Sequence, residues 1–356
     1  MNAVTWVLLV FSVLGALDRI LGNRFGLGKE FERGFELFGS MSLSMIGMLV
    51  MAPAIGVWLT PVFEGFYHLF GIDPSALPAM LLANDMGGAT LSEAICKNEG
   101  VGAFNAYVIS SMMGCVISFT IPFAAGVVKK EQHKSLFFGF LCGIVTIPVG
   151  CLVAGLICGL TVLQILVDLL PMLILALLVG VGLVLIPAVC VKVLQVFGGM
   201  MKILITVGLL LGIITFLTGK VIVPEFDTLE SGAMVCVNAC VTLSGAFPLM
   251  YLVSKLLRRP FAFLGSKLGI NTTAAVCLLP TLVSSTPIWD LMKDMDDRGV
   301  VLNAAFAVSA SFVFGAHLAF TMAFDPSYVL PMIVGKLISG ISALVLALVL
   351  YRKKEA

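Results

Sequence analysis

Long apolar stretches alternate with short polar segments over almost the whole chain. Eleven hydrophobic segments can be delimited, and nine of them are long enough to cross a bilayer as helices, which takes roughly 20 residues. These nine cover residues 3–21, 39–60, 103–127, 136–159, 161–187, 198–218, 232–254, 301–323 and 329–351. The pattern predicts an all-α, polytopic membrane protein with about nine full spans.

The other two segments, 76–95 and 272–292, are interrupted by polar residues. The first breaks at Asn84-Asp85-Met86-Gly87-Gly88, and the second at Ser284-Ser285-Thr286-Pro287. A charge at the bilayer centre costs about 2.5–3.5 kcal/mol on insertion scales. Interrupted backbone is tolerated where it is buried in protein or lines a wet cavity. We interpret both segments as re-entrant or broken helical hairpins; a kinked packing helix is the alternative for 76–95.

Composition agrees with a membrane protein and excludes other classes. The 356 residues are 60% hydrophobic and 12% charged, and soluble domains carry about 25% charged residues. A net charge of +1 leaves no basic surface for nucleic acid. The nine cysteines lie in apolar segments without a C-x-x-C pair, which favours small buried side chains over disulfides or metal ligands. We expect no metal site and no cofactor.

Loop charges indicate the orientation, because Lys and Arg in short loops stay in the cytoplasm. The candidates for the inside are 22–38, 128–135, 255–267 and the C-terminal tail, and those for the outside are 61–75, 219–231 and 324–328. If all eleven segments crossed, the basic loop 255–267 would lie outside. Two re-entrant hairpins remove this conflict and predict an N-terminus outside and a C-terminus inside. We expect Asp18 and Arg19 to form an ion pair at the membrane interface.

The order of segments also indicates an internal repeat. Identical residues recur at an offset of 198 positions: Gly47 and Gly245, Gly71-Ile72 and Gly269-Ile270, Asn105-Ala106 and Asn303-Ala304, and Ser111 and Ser309. Each half reads span, span, hairpin, span, span, and the loop charges give the halves opposite orientations. We predict an inverted-topology repeat, with repeats at 1–160 and 198–356 and a linking span and connector at 161–197. This architecture is common among secondary transporters.

Several motifs carry a resemblance to a known family. They are Ala16–Leu21, Leu81–Gly88, Gly143–Pro148, Met295–Gly299, Asn303–Ala310 and Met332–Ile338. In order and over nearly the whole chain, they resemble the ethanolamine utilisation membrane proteins, the ethanolamine permeases of bacterial ethanolamine operons. The resemblance implies uptake of ethanolamine across the bacterial cytoplasmic membrane to feed ammonia-lyase chemistry in a microcompartment. Ala316, Ser284 and Ser285 depart from the family pattern, which can be acidic at the first position and amide at the others.

Ethanolamine is a small amine that is largely protonated at neutral pH and has one hydroxyl. A site for it needs a carboxylate, an aromatic face for cation–π attraction and a polar partner for the hydroxyl. Asp85 is the best carboxylate, about ten residues and thus roughly 15 Å into its hairpin. The predicted substrate-binding residues are Asn84, Asp85, Gly87, Gly88, Ser284, Ser285, Thr286, Trp289, His317 and Lys336.

Each interior charge also has a purely structural interpretation. Lys336 can snorkel to the interface, and His317 can be a satisfied interior histidine. Asn105 and Asn303 are better explained by caps or hydrogen bonds between helices than by substrate contact. No G-x-S-x-G, H-E-x-x-H or P-loop motif is present, which argues against an enzyme. The alternatives are a membrane receptor for a small amine and a transporter of another small polar metabolite. The coupling ion (H⁺ or Na⁺) and the oligomeric state stay open.

Overall fold

The protein is helical throughout the part of the chain that the structure describes. The computed structural model describes residues 3–351, without the side chains of residues 3, 62–66, 68–70, 264 and 266. The helices are α1 (Ala3–Ile20), α2 (Leu27–Glu36), α3 (Phe38–Phe70), α4 (Ala76–Leu81), α5 (Gly88–Ile95), α6 (Glu99–Phe104), α7 (Ile121–Val127), α8 (His133–Ile157), α9 (Val162–Leu185), α10 (Pro187–Thr218), α11 (Leu229–Leu268), α12 (Thr272–Thr281), α13 (Thr286–Leu291), α14 (Asp297–Ala310), α15 (Ala316–Phe324) and α16 (Val329–Leu350). The predicted all-α class is confirmed for these residues. The basic tail used in the orientation argument, residues 352–354, lies outside them.

Seven helical segments of the described chain are long and apolar enough to cross a membrane. They are Leu27–Pro61, Glu99–Val127, Lys130–Ile157, Val162–Leu185, Pro187–Thr218, Leu229–Phe263 and Pro326–Leu350. The protein is therefore a multi-pass helical membrane protein. The spans at 3–21 and 301–323 are not among the seven, and full crossing by these two segments stays a prediction.

Two polar stretches that we predicted as loops are helical. Helix α3 continues through Pro61 to Phe70, so most of the predicted loop 61–75 is helix. The predicted basic loop 255–267 lies in the 40-residue helix α11. At about 1.5 Å per residue, α11 is roughly 60 Å long, twice the hydrocarbon core. A helix can thus leave the bilayer and carry its charges into water without ending, which hydropathy alone does not reveal.

Both predicted interruptions are present. Helices α4 and α5 are separated by residues 82–87, and α12 and α13 by residues 282–285. The structure adds a third interruption that we did not predict. The segment 301–323 is not continuous, because it unwinds at residues 311–315 between α14 and α15. The segment that corresponds to it at the offset of 198 positions follows α6. This segment stays helical but forms wide π-type turns over Asn105–Gly114 and Val116–Thr120.

Helix α8 packs against both α14 and α16 in the core. Helix α10 packs along α3, and α1 packs along α11. Helix α10 begins at Pro187, so the predicted connector after 187 is the first part of this helix. The unwound segments lie inside this packed core, which is where their polar backbone can be satisfied.

Candidate functional site

The first interruption is built from a short turn between α4 and α5. Asn84–Met86 forms one 3₁₀ turn, and its buried backbone is satisfied locally. The N–H of Ala83 donates to Ser118 Oγ (3.1 Å), and the N–H of Asp85 donates to Asn84 Oδ1 (3.0 Å). Asn84 is fully buried, yet its Nδ2 has no hydrogen-bond partner. The turn therefore presents one free amide donor and the Asp85 carboxylate side by side.

The two glycines after Asp85 are required by close packing. Gly87 adopts a left-handed conformation (φ 99°), and a Cβ there would lie 2.1 Å from Met48 Cγ. A Cβ on Gly88 would lie 2.2 Å from the carbonyl oxygen of Leu82. Left-handed backbone is readily adopted only by glycine. Gly87 and Gly88 therefore shape the turn and contribute backbone to it.

Three charged or titratable side chains from distant parts of the sequence meet at this turn. Lys336 Nζ of α16 lies 3.1 Å from His317 Nδ1 of α15 and also donates to the carbonyl oxygen of Ser111. His317 Nε2 lies 4.0 Å from Asp85 Oδ1. His317 and Lys336 are each only 1% exposed. Lys336 therefore does not snorkel to the interface; it points into the core.

The partners of His317 determine its tautomer. An ammonium group has only donors, so His317 Nδ1 must accept from Lys336 and the ring proton lies on Nε2. This N–H faces Asp85, but 4.0 Å is longer than a hydrogen bond. Asp85 has no Lys or Arg within 4 Å among the described residues. The Asp85 carboxylate therefore faces the His317 ring without a hydrogen bond to it and can accept a further donor.

Two phenylalanines that we did not predict lie beside this group. The ring centroid of Phe312 is 5.2 Å from that of His317, and Phe119 packs edge-on against Phe312 at 5.8 Å. Phe312 has a φ of 62°, an outlier for a bulky residue. Its N–H donates to the carbonyl of Thr281 (3.3 Å), and that of Phe314 donates to Leu282 (2.8 Å). The third interruption is thus hydrogen-bonded to the second.

The second interruption contributes differently from what we predicted. No hydrogen bond or ion pair joins Ser284, Ser285, Thr286 or Trp289 to Asp85 in the described chain. Ser284 lines a small pocket of about 160 Å³ that faces Glu30 and Arg33 of α2. Ser285 is buried with an unpaired hydroxyl. Trp289 is 1% exposed and packs edge-on against Phe140 at 6.0 Å.

A groove of about 510 Å³ opens next to the Asp85 turn. Its lining includes Met86, Ser118 and Phe119 near the turn, and Gln195 and Lys202 of α10. No cluster of three or more His, Cys, Asp or Glu side chains in the described part of the chain could hold a metal ion. Asp85 itself is not part of the lining of the groove, although its neighbour Met86 is.

Fold and site together define a multi-pass α-helical membrane protein with a buried polar site at interrupted helices. The family model described as "Ethanolamine utilisation protein, EutH" matches residues 1–350. The chain belongs to the EutH family, and the resemblance seen in its motifs is confirmed. No solved structure matches this chain.

The relatives cover nearly the whole chain. A "Probable ethanolamine permease EutH" of Listeria monocytogenes serotype 1/2a (strain 10403S) is 41% identical over 340 residues, which are 96% of this chain and 91% of the relative. The protein of the same name in Salmonella typhimurium is 34% identical over an alignment 392 positions long, gaps included. This alignment covers 99% of this chain and 96% of the relative. "Uncharacterized protein YxeR" of Bacillus subtilis is 36% identical over 342 residues, 96% of this chain and 92% of the relative.

Proposed function

We propose that the protein transports ethanolamine across the bacterial cytoplasmic membrane by alternating access at the Asp85 site. The names of relatives that match almost end to end support the substrate. The interrupted helices support the mechanism, since substrate sites of secondary transporters are typically formed by discontinuous helices. The positions of the basic loops support an N-terminus outside and a C-terminus inside.

One observation carries the proposal: among the described residues, no Lys or Arg lies within 4 Å of the Asp85 carboxylate. Lys336 acts on Asp85 through its charge, but its hydrogen bonds are made to His317 and Ser111. Charged side chains at this depth are costly unless paired. The ammonium of ethanolamine would supply the missing charge. Lys336 would hold His317 in place and leave Asp85 to the substrate.

The surrounding groups suit the rest of the molecule. Asn84 Nδ2, which lacks a partner, can donate to the substrate hydroxyl oxygen. Phe312 and Phe119 can face the ammonium and give cation–π attraction. The aromatic role that we predicted for Trp289 passes to these two residues, because Trp289 is packed into the core away from Asp85. Ser284, Ser285 and Thr286 then have no direct contact with substrate in this arrangement.

Matching element boundaries support an inverted repeat. Helices α3 and α11 end at Phe70 and Leu268, α5 and α13 begin at Gly88 and Thr286, and α6 and α14 begin at Glu99 and Asp297. Each pair differs by 198 positions. Gly71 and Gly269, which follow α3 and α11, are both left-handed. We keep repeats at 1–160 and 198–356, joined by a linking region at 161–197.

Helix packing agrees with two halves related by a two-fold axis. At the same offset, α1 corresponds to most of α10, and α3 corresponds to α11. Helix α1 packs on α11, and α10 packs on α3. The first helix of each half therefore packs against the other half, which is the arrangement expected for a two-fold axis between them.

The test is ethanolamine uptake into proteoliposomes that contain purified protein. Wild-type protein should show saturable uptake of radiolabelled ethanolamine. Asp85→Asn should fold and insert but raise the half-saturation concentration at least roughly 30-fold, because losing one partner of a buried charge pair costs about 2–5 kcal/mol. Asp85→Glu should keep part of the uptake. The matched control is Asp297→Asn, an exposed carboxylate at the start of α14.

Two results would contradict the proposal. Binding of ethanolamine without flux would make the protein a receptor. Wild-type uptake and affinity in a folded Asp85→Asn variant would show that Asp85 does not bind the ammonium and that the neutral amine crosses.

A further inference from the structure

A second buried carboxylate lies outside the Asp85 site, on the linking helix α9. Asp168 is the only charged residue of this helix, and it is 3% exposed. Neither of its carboxylate oxygens has a hydrogen-bond partner. It lies seven residues beyond the capping residue Thr161, roughly 10 Å along the helix. An ionised carboxylate at this depth without donors is costly, so something must compensate it.

No cation faces Asp168 among the described residues. Its polar neighbour is the side-chain amide of Asn105, which lies close enough to interact with the carboxylate but outside ordinary hydrogen-bond geometry. Two further titratable groups face it, Asp73 from the loop before α4 and Cys151 from α8. The Oδ1 of Asn105 is itself buried without a donor. Protonation of Asp168 would neutralise its charge. The resulting O–H group could donate to Asn105 Oδ1, so that both side chains would gain a hydrogen-bond partner.

Hydrogen bonds connect Asn105, the polar neighbour of Asp168, to one surface and to the Asp85 hairpin. Asn105 Nδ2 donates to Ser75 Oγ (2.9 Å), and Ser75 Oγ donates to Asp73 Oδ1 (2.6 Å). Asp73 Oδ2 accepts the backbone N–H groups of Lys97 and Asn98 (both 3.0 Å), in the loop between α5 and α6. Ser75 immediately precedes α4, the first arm of the hairpin that carries Asp85. The charge of Asp168 can therefore act on the base of that hairpin.

We propose that Asp168 is the proton-binding site that couples transport to an inward proton gradient. In each cycle one carboxyl O–H bond forms with a proton from the side of the Lys97–Asn98 loop. The same bond breaks when the proton is released on the opposite side, and no other reactant is needed. This inference rests on the proposed transport function but uses none of the substrate-binding residues.

Asp18 provides a comparison, because its side chain is equally shielded from solvent but lies near the end of α1 and has hydrogen-bond partners. Its exposure is also 3%, but Oδ1 accepts from the N–H of Phe25 and Oδ2 from that of Gly28, both at 2.9 Å. Backbone donors favour the ionised form of a carboxylate. Asp18 is therefore expected to stay ionised, which makes it the negative control for a reaction that requires a protonated carboxyl.

The first test measures the proton site without any transport. Dicyclohexylcarbodiimide reacts with protonated carboxyls in apolar surroundings, and mass spectrometry of the full-length protein in liposomes locates the adduct. We expect modification at Asp168 that decreases as the pH rises, and none at Asp18. Absence of an adduct at Asp168, or one independent of pH, would overturn the proposal.

The second test measures coupling in proteoliposomes with an acidic exterior, an alkaline interior, clamped membrane potential and no Na⁺. A weak base leaks toward the acidic side, so passive ethanolamine movement opposes accumulation inside. Wild-type protein should still concentrate radiolabelled ethanolamine. Asp168→Asn should lose this accumulation while keeping exchange of labelled for unlabelled ethanolamine.

Each other outcome has a definite meaning. Wild-type exchange without accumulation, or accumulation that requires Na⁺, would overturn proton coupling. Wild-type accumulation by Asp168→Asn, or loss of exchange together with accumulation, would overturn the role of Asp168. Absence of exchange in wild-type protein would instead contradict the proposed transport function.

Discussion

Lys336 is buried despite its charge, because two acceptors replace the water that it lost. His317 Nδ1 and the carbonyl oxygen of Ser111 both accept from Nζ. Breaking such a contact leaves buried acceptors unsatisfied, which costs about 1–3 kcal/mol per group. Lys336 thus stabilises the packing of α16 against the Ser111 region and fixes His317.

This role separates Lys336 from Asp85 in a mutational test. We expect Lys336→Met to lower the stability by about 1–3 kcal/mol, seen as earlier thermal unfolding in detergent, whereas Asp85→Asn should unfold no earlier than wild type, because it removes an unpaired charge. Lys192→Met is the control, because Lys192 is exposed on α10. Equal losses of stability for Lys336→Met and Asp85→Asn would mean that the two charges form one structural unit.

The aromatic side chains near the site allow a second test at residue level. Phe312→Leu keeps the β-carbon and an apolar side chain of slightly smaller volume, but removes the ring beside His317. A cation–π contact is worth about 0.5–2 kcal/mol, so the half-saturation concentration for ethanolamine should rise roughly 2- to 30-fold. Trp289→Phe should leave it unchanged, because Trp289 contacts Phe140 and not Asp85. A larger effect at Trp289 than at Phe312 would contradict this assignment.

Asp18 and Arg19 show that adjacent opposite charges need not pair. We predicted an ion pair between them, and this was wrong. Asp18 accepts backbone N–H groups after the end of α1, while Arg19 Nε lies 2.8 Å from Glu32 Oε1 of α2. The Asp18 carboxylate accepts N–H groups of the turn that follows α1, because these groups would otherwise be buried without a hydrogen-bond partner.

Among the elements, the α4–α5 hairpin depends on the absence of a side chain at Gly88. We expect Gly88→Ala to reduce the yield of folded protein, because its Cβ would lie 2.2 Å from a backbone carbonyl that cannot move aside. The control is Gly100→Ala on α6, where the nearest atom to a new Cβ is 3.4 Å away. Gly100→Ala should be neutral or stabilising by up to about 1 kcal/mol. Comparable expression of both variants would show that the turn can open without cost.

The element between α14 and α15 shows how far an apolar pattern can mislead. Residues 301–323 read as one span, yet the helix stops at Ala310 and resumes at Ala316. The backbone groups freed by the interruption are satisfied by Thr281 and Leu282. An apolar sequence can unwind without a polar signal when a neighbouring interrupted helix supplies acceptors.

For the whole molecule, the orientation of the connections is the property to measure. In a variant without native cysteines, a cysteine at Glu225 should react with an impermeant thiol reagent added outside intact cells. Cysteines at Lys130 and Arg258 should react only after permeabilisation, because Lys and Arg in connections stay inside. Glu225 lies between α10 and α11, and Arg258 in the distal part of α11. External labelling at Arg258 would mean that 272–292 crosses fully, and the inverted repeat would then fail.

Hydropathy along the chain was sufficient for the helical class, for seven of the nine predicted spans and for the first two interruptions. These properties are local, because a run of apolar residues favours the bilayer wherever it occurs and glycine or a carboxylate weakens a helix at its own position. Asp85 was identifiable for the same reason. Its cost in lipid is a property of that one residue and its depth.

The contacts made by Asp85 required the folded chain. His317 and Lys336 are more than 200 positions away from it, and only the packing of α15 and α16 brings them to one turn. Contacts between other helices bury Trp289 of α13 against Phe140 of α8 and join residues 312 and 314 to the end of α12. Such contacts depend on which helices touch and at what rotation, and that information is spread over the whole sequence.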